Sequence, residues 1–239
     1  MSNNQKPVEV EIAGFAEKAF LTRPSDTVSG SGVVFLHWFD EAPSANRTQF
    51  LGEAADLADR GVVSILPQLM FPWTSPPESA AADIEKLEAE RNALNAAVEH
   101  LRTREGVDAD RIAIVGHDFG AMHGVLLAAE IDPTCVVMIA PTPRWADWFL
   151  RFWPIAGDRF DYMRSLDPFD PIAVVKEISA PVLFQFALND FYISAMSGAE
   201  LFGAANEPKL MIPYETDHSM TVPEAKTDRL AFLTEHLGV

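Results

Sequence analysis

The chain has little of what marks secreted, membrane-spanning or nucleic-acid-binding proteins. Cys135 is its only cysteine, which excludes an intrachain disulfide. No apolar run reaches the ~18 residues that a membrane-spanning helix needs. The first segment, Met1–Pro7, is polar and lacks the apolar core of a signal peptide. We therefore expect a cytoplasmic protein with no membrane partner.

Positive charge is also scarce. The chain has 18 lysines and arginines against 35 aspartates and glutamates, so its formal net charge is −17. A surface that binds nucleic-acid phosphates needs clustered basic side chains, and we therefore expect no nucleic-acid partner. No cluster of cysteine and histidine suggests a metal site, and we expect neither a metal nor a cofactor.

Short apolar runs alternate with segments of helical spacing. Strands are predicted at Val8–Ile12, Ala16–Thr22, Gly32–His37, Val62–Leu66, Arg111–Val115, Cys135–Ile139, Pro181–Ala187 and Lys209–Pro213. Helices are predicted at Asn46–Arg60, Ala80–Thr103, Phe119–Glu130 and Val222–Leu237. This alternation predicts an α/β fold with a mostly parallel sheet flanked by helices. Without repeats or linkers, residues 1–239 are predicted to form one domain.

One segment interrupts the alternation. Residues 142–180, here called the aromatic insertion, are long for a connection between two strands. They carry Trp145, Trp148, Phe149, Phe152, Trp153, Phe160, Tyr162 and Phe169. We predict a short lid or pocket wall rather than a large cap, the alternative being a helix that only packs on the sheet.

The most informative motif is Gly116-His117-Asp118-Phe119-Gly120. An apolar run ends in this Gly-x-Asp-x-Gly sequence, and a segment of helical spacing follows. This arrangement is typical of a nucleophile elbow, a sharp strand-to-helix turn that presents one side chain to an active site. Serine is the usual occupant, whereas here it is Asp118. A carboxylate nucleophile attacks carbon centres for which serine is not used.

From these residues the chain resembles the α/β-hydrolase superfamily over nearly its whole length. Its size and the sequence from Asp167-Pro168 to Pro181-Val-Leu-Phe-Gln-Phe are similar to the dienelactone-hydrolase-like branch. The elbow itself resembles those of haloalkane and haloacetate dehalogenases and epoxide hydrolases. The resemblance implies an α/β-hydrolase fold and a nucleophile, an acid and a histidine in that chain order.

The resemblance implies a catalytic triad of Asp118, Asp190 and His218. Asp190 follows the predicted strand Pro181–Ala187, and His218 follows the last strand. Asp118 would form an alkyl ester, His218 would activate water, and Asp190 would orient the imidazole. Two alternatives stay open: Asp190 as a helix N-cap and Asp217 as a substitute acid.

Further residues are expected to complete the site. The backbone N–H of Phe119 and that of Trp38 or Phe39 would stabilise an oxyanion or hold a halide. Trp73, Trp145, Trp148 and Tyr162 are predicted to line the substrate pocket, with indole N–H groups as halide donors and Tyr162 as the acid for an epoxide. His37, His117 and His123 are expected to have structural roles.

The sequence does not separate the possible reactions. His37-Trp38-Phe39 replaces the His-Gly of dehalogenases, and Phe119 stands where haloacetate dehalogenases place arginine; Arg144 or Arg151 could substitute for it. Two alternatives to the Asp-nucleophile hydrolase remain. One is an ester or lactone hydrolase whose serine or cysteine Asp118 replaces, and the other is a non-hydrolytic ligand-binding protein. The expected partner is a small apolar or electrophilic substrate, for a monomer or a homodimer.

Overall fold

The structure is a computed structural model that describes residues 6–25, 27–39, 43–71, 76–155 and 157–239, with residues 43–45 described by their backbone alone. The strands are β1 Val8–Val10, β2 Ala19–Thr22, β3 Gly32–Leu36, β4 Val63–Leu66, β5 Ile112–His117, β6 Cys135–Ile139, β7 Val182–Ala187 and β8 Lys209–Tyr214. The α-helices are α1 Leu51–Ala58, α2 Ala80–Arg102, α3 Phe119–Ile131, α4 Trp145–Phe152, α5 Arg159–Leu166, α6 Pro171–Val174, α7 Ala195–Ala204 and α8 Pro223–Leu237.

The strands form one sheet in the order β1-β2-β4-β3-β5-β6-β7-β8. Strands β1 and β2 pair antiparallel, as do β2 and β4, and every later pair is parallel. This architecture confirms the predicted α/β-hydrolase fold. The carboxyl ends of β3, β5 and β7 lie at the same edge of the sheet, where parallel α/β folds place their ligand sites.

Both faces of the sheet are buried, which explains why its central strands are continuously apolar. On one face, Val34 and Ile114 pack with residues of α2 and α3, among them Leu101. On the other face, Phe35 and Val115 pack with residues of α1 and α8, among them Leu57 and Leu233. Successive side chains of a strand thus pack into the cores on opposite faces of the sheet, as the two-residue period of a strand requires.

The predicted helix Asn46–Arg60 is interrupted. A 3₁₀ turn, Pro43–Thr48, precedes α1, which begins only at Leu51. The Gln49 N–H donates to the Asn46 carbonyl at 2.9 Å, a bond to the third residue back that tightens this turn. The consequence is that Gln49 lies outside the regular helix, close to the end of β3.

The aromatic insertion has a small core of its own. It contains α4, α5 and α6, and its apolar side chains pack with Phe71, Leu87, Phe119 and Met122. The insertion therefore covers α2 and the start of α3 beside the carboxyl edge of the sheet. Among the described residues, no helix is both long and apolar enough to cross a membrane.

Candidate active site

The turn between β5 and α3 presents Asp118 in a strained backbone conformation. Its φ is 54° and its ψ is −118°, a combination that costs a non-glycine residue about 1–3 kcal/mol. A Cβ atom at Gly116 would collide with the carbonyl of Gly120, and one at Gly120 would collide with that of Leu36. Both glycines of the motif are thus required by close backbone packing around the elbow.

The structure brings the three predicted triad residues together. His218 Nδ1 lies 2.8 Å from Asp190 Oδ2, and His218 Nε2 lies 3.9 Å from Asp118 Oδ1. All three side chains are buried. His218 therefore lies between Asp118 and Asp190, which matches the arrangement that the resemblance implies.

Asp190 is held by the loop that follows β7. Its Oδ1 accepts hydrogen bonds from the backbone N–H groups of Tyr192 and Ile193, at 2.8 and 2.9 Å. The N-cap of α7 is instead Ser194, whose side chain accepts from Ser197 N–H. Asp190 therefore caps no helix, and its second oxygen is directed to His218.

The charge of His218 is governed by the two carboxylates on either side of its ring. Burial opposes its charge, but hydrogen bonds and charge attraction from Asp118 and Asp190 outweigh burial and raise the pKa of His218 to about 10. The Nδ1–H donates to Asp190, and the Nε2–H faces Asp118. A His218 ring that carries both of these protons cannot accept another one, so it cannot act as a base in this state.

Of the predicted oxyanion donors, Phe39 and Phe119 have suitable positions. The Phe39 N–H is 3.4 Å from Asp118 Oδ2. Phe119 is the first residue of α3, so its N–H has no intrahelical partner. The Trp38 N–H donates instead to Gln49 Oε1 at 2.8 Å, which removes it from the predicted oxyanion role.

A cavity of about 460 Å³ opens above Asp118. Its described lining is Trp38, Phe39, Asp118, Trp148, Asn189, Phe191, Tyr192, Asp217, His218 and Ser219. Trp148 lines it as predicted, and its indole Nε1–H donates to Asp118 Oδ1 at 3.0 Å. Trp148 also stacks on Phe119 and Tyr192, with ring centroids 5.2 and 5.8 Å apart.

Two predicted pocket residues lie elsewhere. Trp145 is buried in the insertion core, and its indole N–H donates to the Phe169 carbonyl at 2.9 Å. Tyr162 is buried too, and its hydroxyl donates to Asp83 at 3.0 Å. Positions 145 and 149 of α4 share its buried face, whereas position 148 faces the cavity. The prediction for Trp73 falls outside the described residues.

A family model described as alpha/beta hydrolase family matches residues 28–236. The chain belongs to this family. No curated protein matches it. The solved structures similar to this hydrolase include TT1662 from Thermus thermophilus, with 16% identity, a TM-score of 0.72 and 98% of both chains covered. Est1E from Butyrivibrio proteoclasticus is 14% identical, with a TM-score of 0.72, 98% of this chain covered and 100% of that one.

A Klebsiella pneumoniae protein described as a candidate dienelactone hydrolase is 20% identical, with a TM-score of 0.66 and 98% of both chains covered. At such identities the likeness establishes the fold of this hydrolase and not its substrate.

Sequence reasoning missed half of the cavity lining. Asn189, Phe191 and Tyr192 flank Asp190, while Asp217 and Ser219 flank His218. Their positions beside two predicted triad residues were a usable signal, because loops that position catalytic side chains also form the walls of a site.

Gln49 is a further residue that the sequence did not reveal. Its Oε1 accepts from Trp38 N–H, and its Nε2 donates to His117 Nδ1 at 2.6 Å. His117 Nε2–H in turn donates to the His218 carbonyl at 2.9 Å. Burial lowers the pKa of His117 well below its usual value, which keeps the ring neutral as this pattern requires. The loop after β3, which contains Trp38, and the loop after β8, which contains His218, are thus linked through the Gln49 amide group.

We expect Gln49→Met to destabilise this hydrolase by about 1–2 kcal/mol, since the change leaves Trp38 N–H and His117 Nδ1 without their partner. Urea denaturation followed by tryptophan fluorescence measures the difference. An unchanged midpoint would mean that the backbone alone holds the two loops, and that the link through Gln49 contributes nothing to stability.

Proposed function

We propose that this chain is a hydrolase that uses Asp118 as a nucleophile against an sp³ carbon. The observation that carries the proposal is the environment of the Asp118 carboxylate at the elbow. Asp118 lines the cavity, and its Oδ1 faces His218 and the Trp148 indole N–H, while its Oδ2 faces the Phe39 N–H. The two oxygens therefore have different surroundings, one suited to attack and the other to carrying an oxyanion.

In the first step Asp118 Oδ1 bonds to the substrate carbon. The electron pair of the broken bond leaves with the halide, or with the oxygen of an opened epoxide. The Trp148 N–H, 3.0 Å from the attacking oxygen, is the donor that can stabilise a departing halide. The product of this step is an alkyl ester on Asp118.

The second step hydrolyses that ester. Esterification removes the negative charge of Asp118, one of the two charges that raise the pKa of His218. The pKa of His218 then falls, the ring loses its proton, and it can deprotonate a water molecule that attacks the ester carbon. The oxyanion forms on Oδ2, beside the N–H groups of Phe39 and Phe119. Its collapse breaks the bond between the Asp118 carboxyl carbon and the alkoxy oxygen, which takes the proton from His218 and leaves as the alcohol, and the carboxylate is restored.

Carbon–halogen cleavage is the reaction that the cavity favours. Epoxide opening needs an acid for the departing oxygen, and Tyr162 is held by Asp83 outside the cavity lining. Tyr192 is the tyrosine of the lining, so an epoxide substrate would depend on it. The Trp148 donor, in contrast, already contacts the attacking carboxylate.

A second candidate is an ester or lactone hydrolase in which Asp118 replaces a serine or cysteine. The similarity to the structure described as a candidate dienelactone hydrolase favours it, as does the pairing of Asp190 with His218, which would serve an alkoxide nucleophile equally well. A ligand-binding protein without turnover would have no need of that buried pair.

The test is to trap the intermediate. In His218→Ala the first step remains possible while hydrolysis lacks its base, so we expect a stable mass gain after exposure to pooled haloalkanes, haloacids and epoxides. Intact-protein mass spectrometry detects the adduct, peptide mapping assigns it to Asp118, and its mass identifies the substrate class.

The double variant Asp118→Asn/His218→Ala is the control, because its amide is not a nucleophile. An equal mass gain in the control would mean that another side chain reacts. Absence of any adduct in His218→Ala, together with esterase activity in Asp118→Ser, would favour the second candidate.

A further inference from the structure

The cavity is negatively charged. Its described lining contains Asp118 and Asp217 as acids and His218 as a single cationic group. The charge of His218 is already paired with Asp118 and with Asp190 behind it. None of the described lining residues is a lysine or an arginine, and every lysine and arginine of the chain lies within the described residues.

The arginines of α4 and its N-terminus have other partners. Arg144 pairs with Glu200 and Asp147. Arg151 donates to the carbonyls of Tyr192 and Phe191, at 2.7 and 3.1 Å, and does not belong to the described lining. Both arginines are thus engaged by other groups and neither belongs to the described lining, so the structure does not support the carboxylate-binding role that the sequence left open for them.

Aromatic side chains form half of the described wall. Five of the ten described lining residues are Trp38, Phe39, Trp148, Phe191 and Tyr192. Phe191 and Tyr192 are 72% and 43% exposed, so both can contact a ligand, although the Arg151 guanidinium lies 5.8 Å from the Phe191 ring centroid and Tyr192 stacks on Trp148. An aromatic face carries a partial negative charge and attracts cations, and quaternary ammonium groups are commonly bound by such sets of rings.

Asp217 adds a full charge to this wall. Its carboxylate accepts hydrogen bonds from the N–H and hydroxyl groups of Ser219, and these bonds lower its pKa. The residue is exposed and mostly hydrated, yet it lies in the same lining as the five rings. Aromatic faces and a carboxylate around one cavity form a combination suited to a positively charged group.

We propose that the cavity selects electrophiles that carry a cationic group, of the quaternary ammonium type, and that it disfavours carboxylates. This inference rests on the proposed function. The cavity holds the cationic group while Asp118 Oδ1 bonds to the carbon that carries the halogen, and the halide leaves with the electron pair of the broken bond. Haloacids are then poor substrates, although their chemistry at the reacting carbon is the same.

Three bromides of similar size test the charge preference: (2-bromoethyl)trimethylammonium, its neutral isostere 1-bromo-3,3-dimethylbutane, and 3-bromopropionate. The second-order rate of adduct formation on Asp118 is measured in His218→Ala by intact mass, and each rate is divided by the rate of the same bromide with acetate. His218→Ala itself removes a positive charge beside the cavity, which could favour a cation. Bromide release by the unmodified protein is therefore measured as well, to check the preference in its presence. We expect the cation to react at least about 10-fold faster than the isostere, and the anion slowest.

Asp217→Asn, which keeps an oxygen acceptor for Ser219, is expected to lower the ratio of cation to isostere about 3-fold to 10-fold. Glu215→Gln is the matched control, since Glu215 is exposed, lies two residues away and is outside the described lining. It makes the same change in net charge and should alter the ratio less.

The outcomes separate the two proposals. If the isostere or the anion reacts as fast as the cation, the charge preference is wrong while the Asp118 nucleophile stands. If the two substitutions lower the ratio equally, the preference reflects net charge and not this cavity. If none of the bromides modifies Asp118, the proposed function itself is contradicted.

Discussion

Asp118→Asn is expected to lower the turnover of a halogenated substrate by a factor on the order of 10⁴ or more. This is the range seen when a catalytic nucleophile is removed. Trp148 and Phe39 donate to different oxygens of Asp118, so the single amide oxygen keeps only one of these hydrogen bonds; the amide has nearly the shape of the carboxylate, and the fold and the elbow should persist. What is lost is the nucleophile, because a neutral amide does not displace a leaving group from carbon. Product release by the purified variant, compared at equal concentration with the parent protein, measures the effect.

Circular dichroism and the thermal midpoint serve as controls for this variant. Asp118→Ser extends the experiment, because it leaves Asp190 and His218 in place beside a hydroxyl group. Under the proposed function the serine variant should lose turnover of halides as well. Retained turnover in Asp118→Asn would contradict any covalent role for position 118.

Asp190→Asn is expected to lower turnover by about 10³-fold to 10⁴-fold, as loss of the orienting carboxylate does in serine-type triads. Asp190 accepts the His218 Nδ1–H at 2.8 Å and is one of the two carboxylates that raise the pKa of His218. Without it the ring loses its orientation, and its pKa falls. Steady-state kinetics give the turnover, and NMR titration of the imidazole follows the pKa.

Alkylation of Asp118 should be affected much less than hydrolysis in Asp190→Asn, so the alkyl ester should accumulate and be visible by mass. Asp217→Asn is the comparison, because Asp217 precedes His218 in the chain. If Asp217→Asn slowed hydrolysis as strongly and Asp190→Asn did not, Asp217 would be the acid partner and the role assigned to Asp190 would be wrong.

Local sequence predicted the elbow because the elbow depends on short-range features, whereas the order of its partners came from the resemblance to a known family. Close packing around Asp118 requires glycine at positions 116 and 120, and a strand that ends before Asp190 carries its side chain to the edge of the sheet. Parallel strands bring these edges together, which is why the three side chains that the family resemblance implied lie close to one another.

The insertion was predicted less well because composition does not reveal which face of a short helix is buried. Trp145 and Trp148 are three residues apart in α4, yet only Trp148 reaches the cavity. The buried face of α4 is decided by α2 and α3, on which the insertion packs. Tyr162 likewise turns toward Asp83, a residue 79 positions earlier in the chain.

The sequence alone therefore determined the fold class and the carboxylate at the elbow, which follow from the period of the apolar residues and from the two glycines that close packing requires. The acid and the histidine proposed as its partners came from the resemblance to a known family. Tertiary structure decided that Gln49 accepts from the Trp38 amide while the Phe39 amide faces Asp118. It also decided that Trp148 contacts the carboxylate. The combination of aromatic rings and Asp217 in the cavity wall is a third outcome of the tertiary structure. Such choices depend on which side chains compete for one donor or one buried surface, and those competitors are distant in sequence.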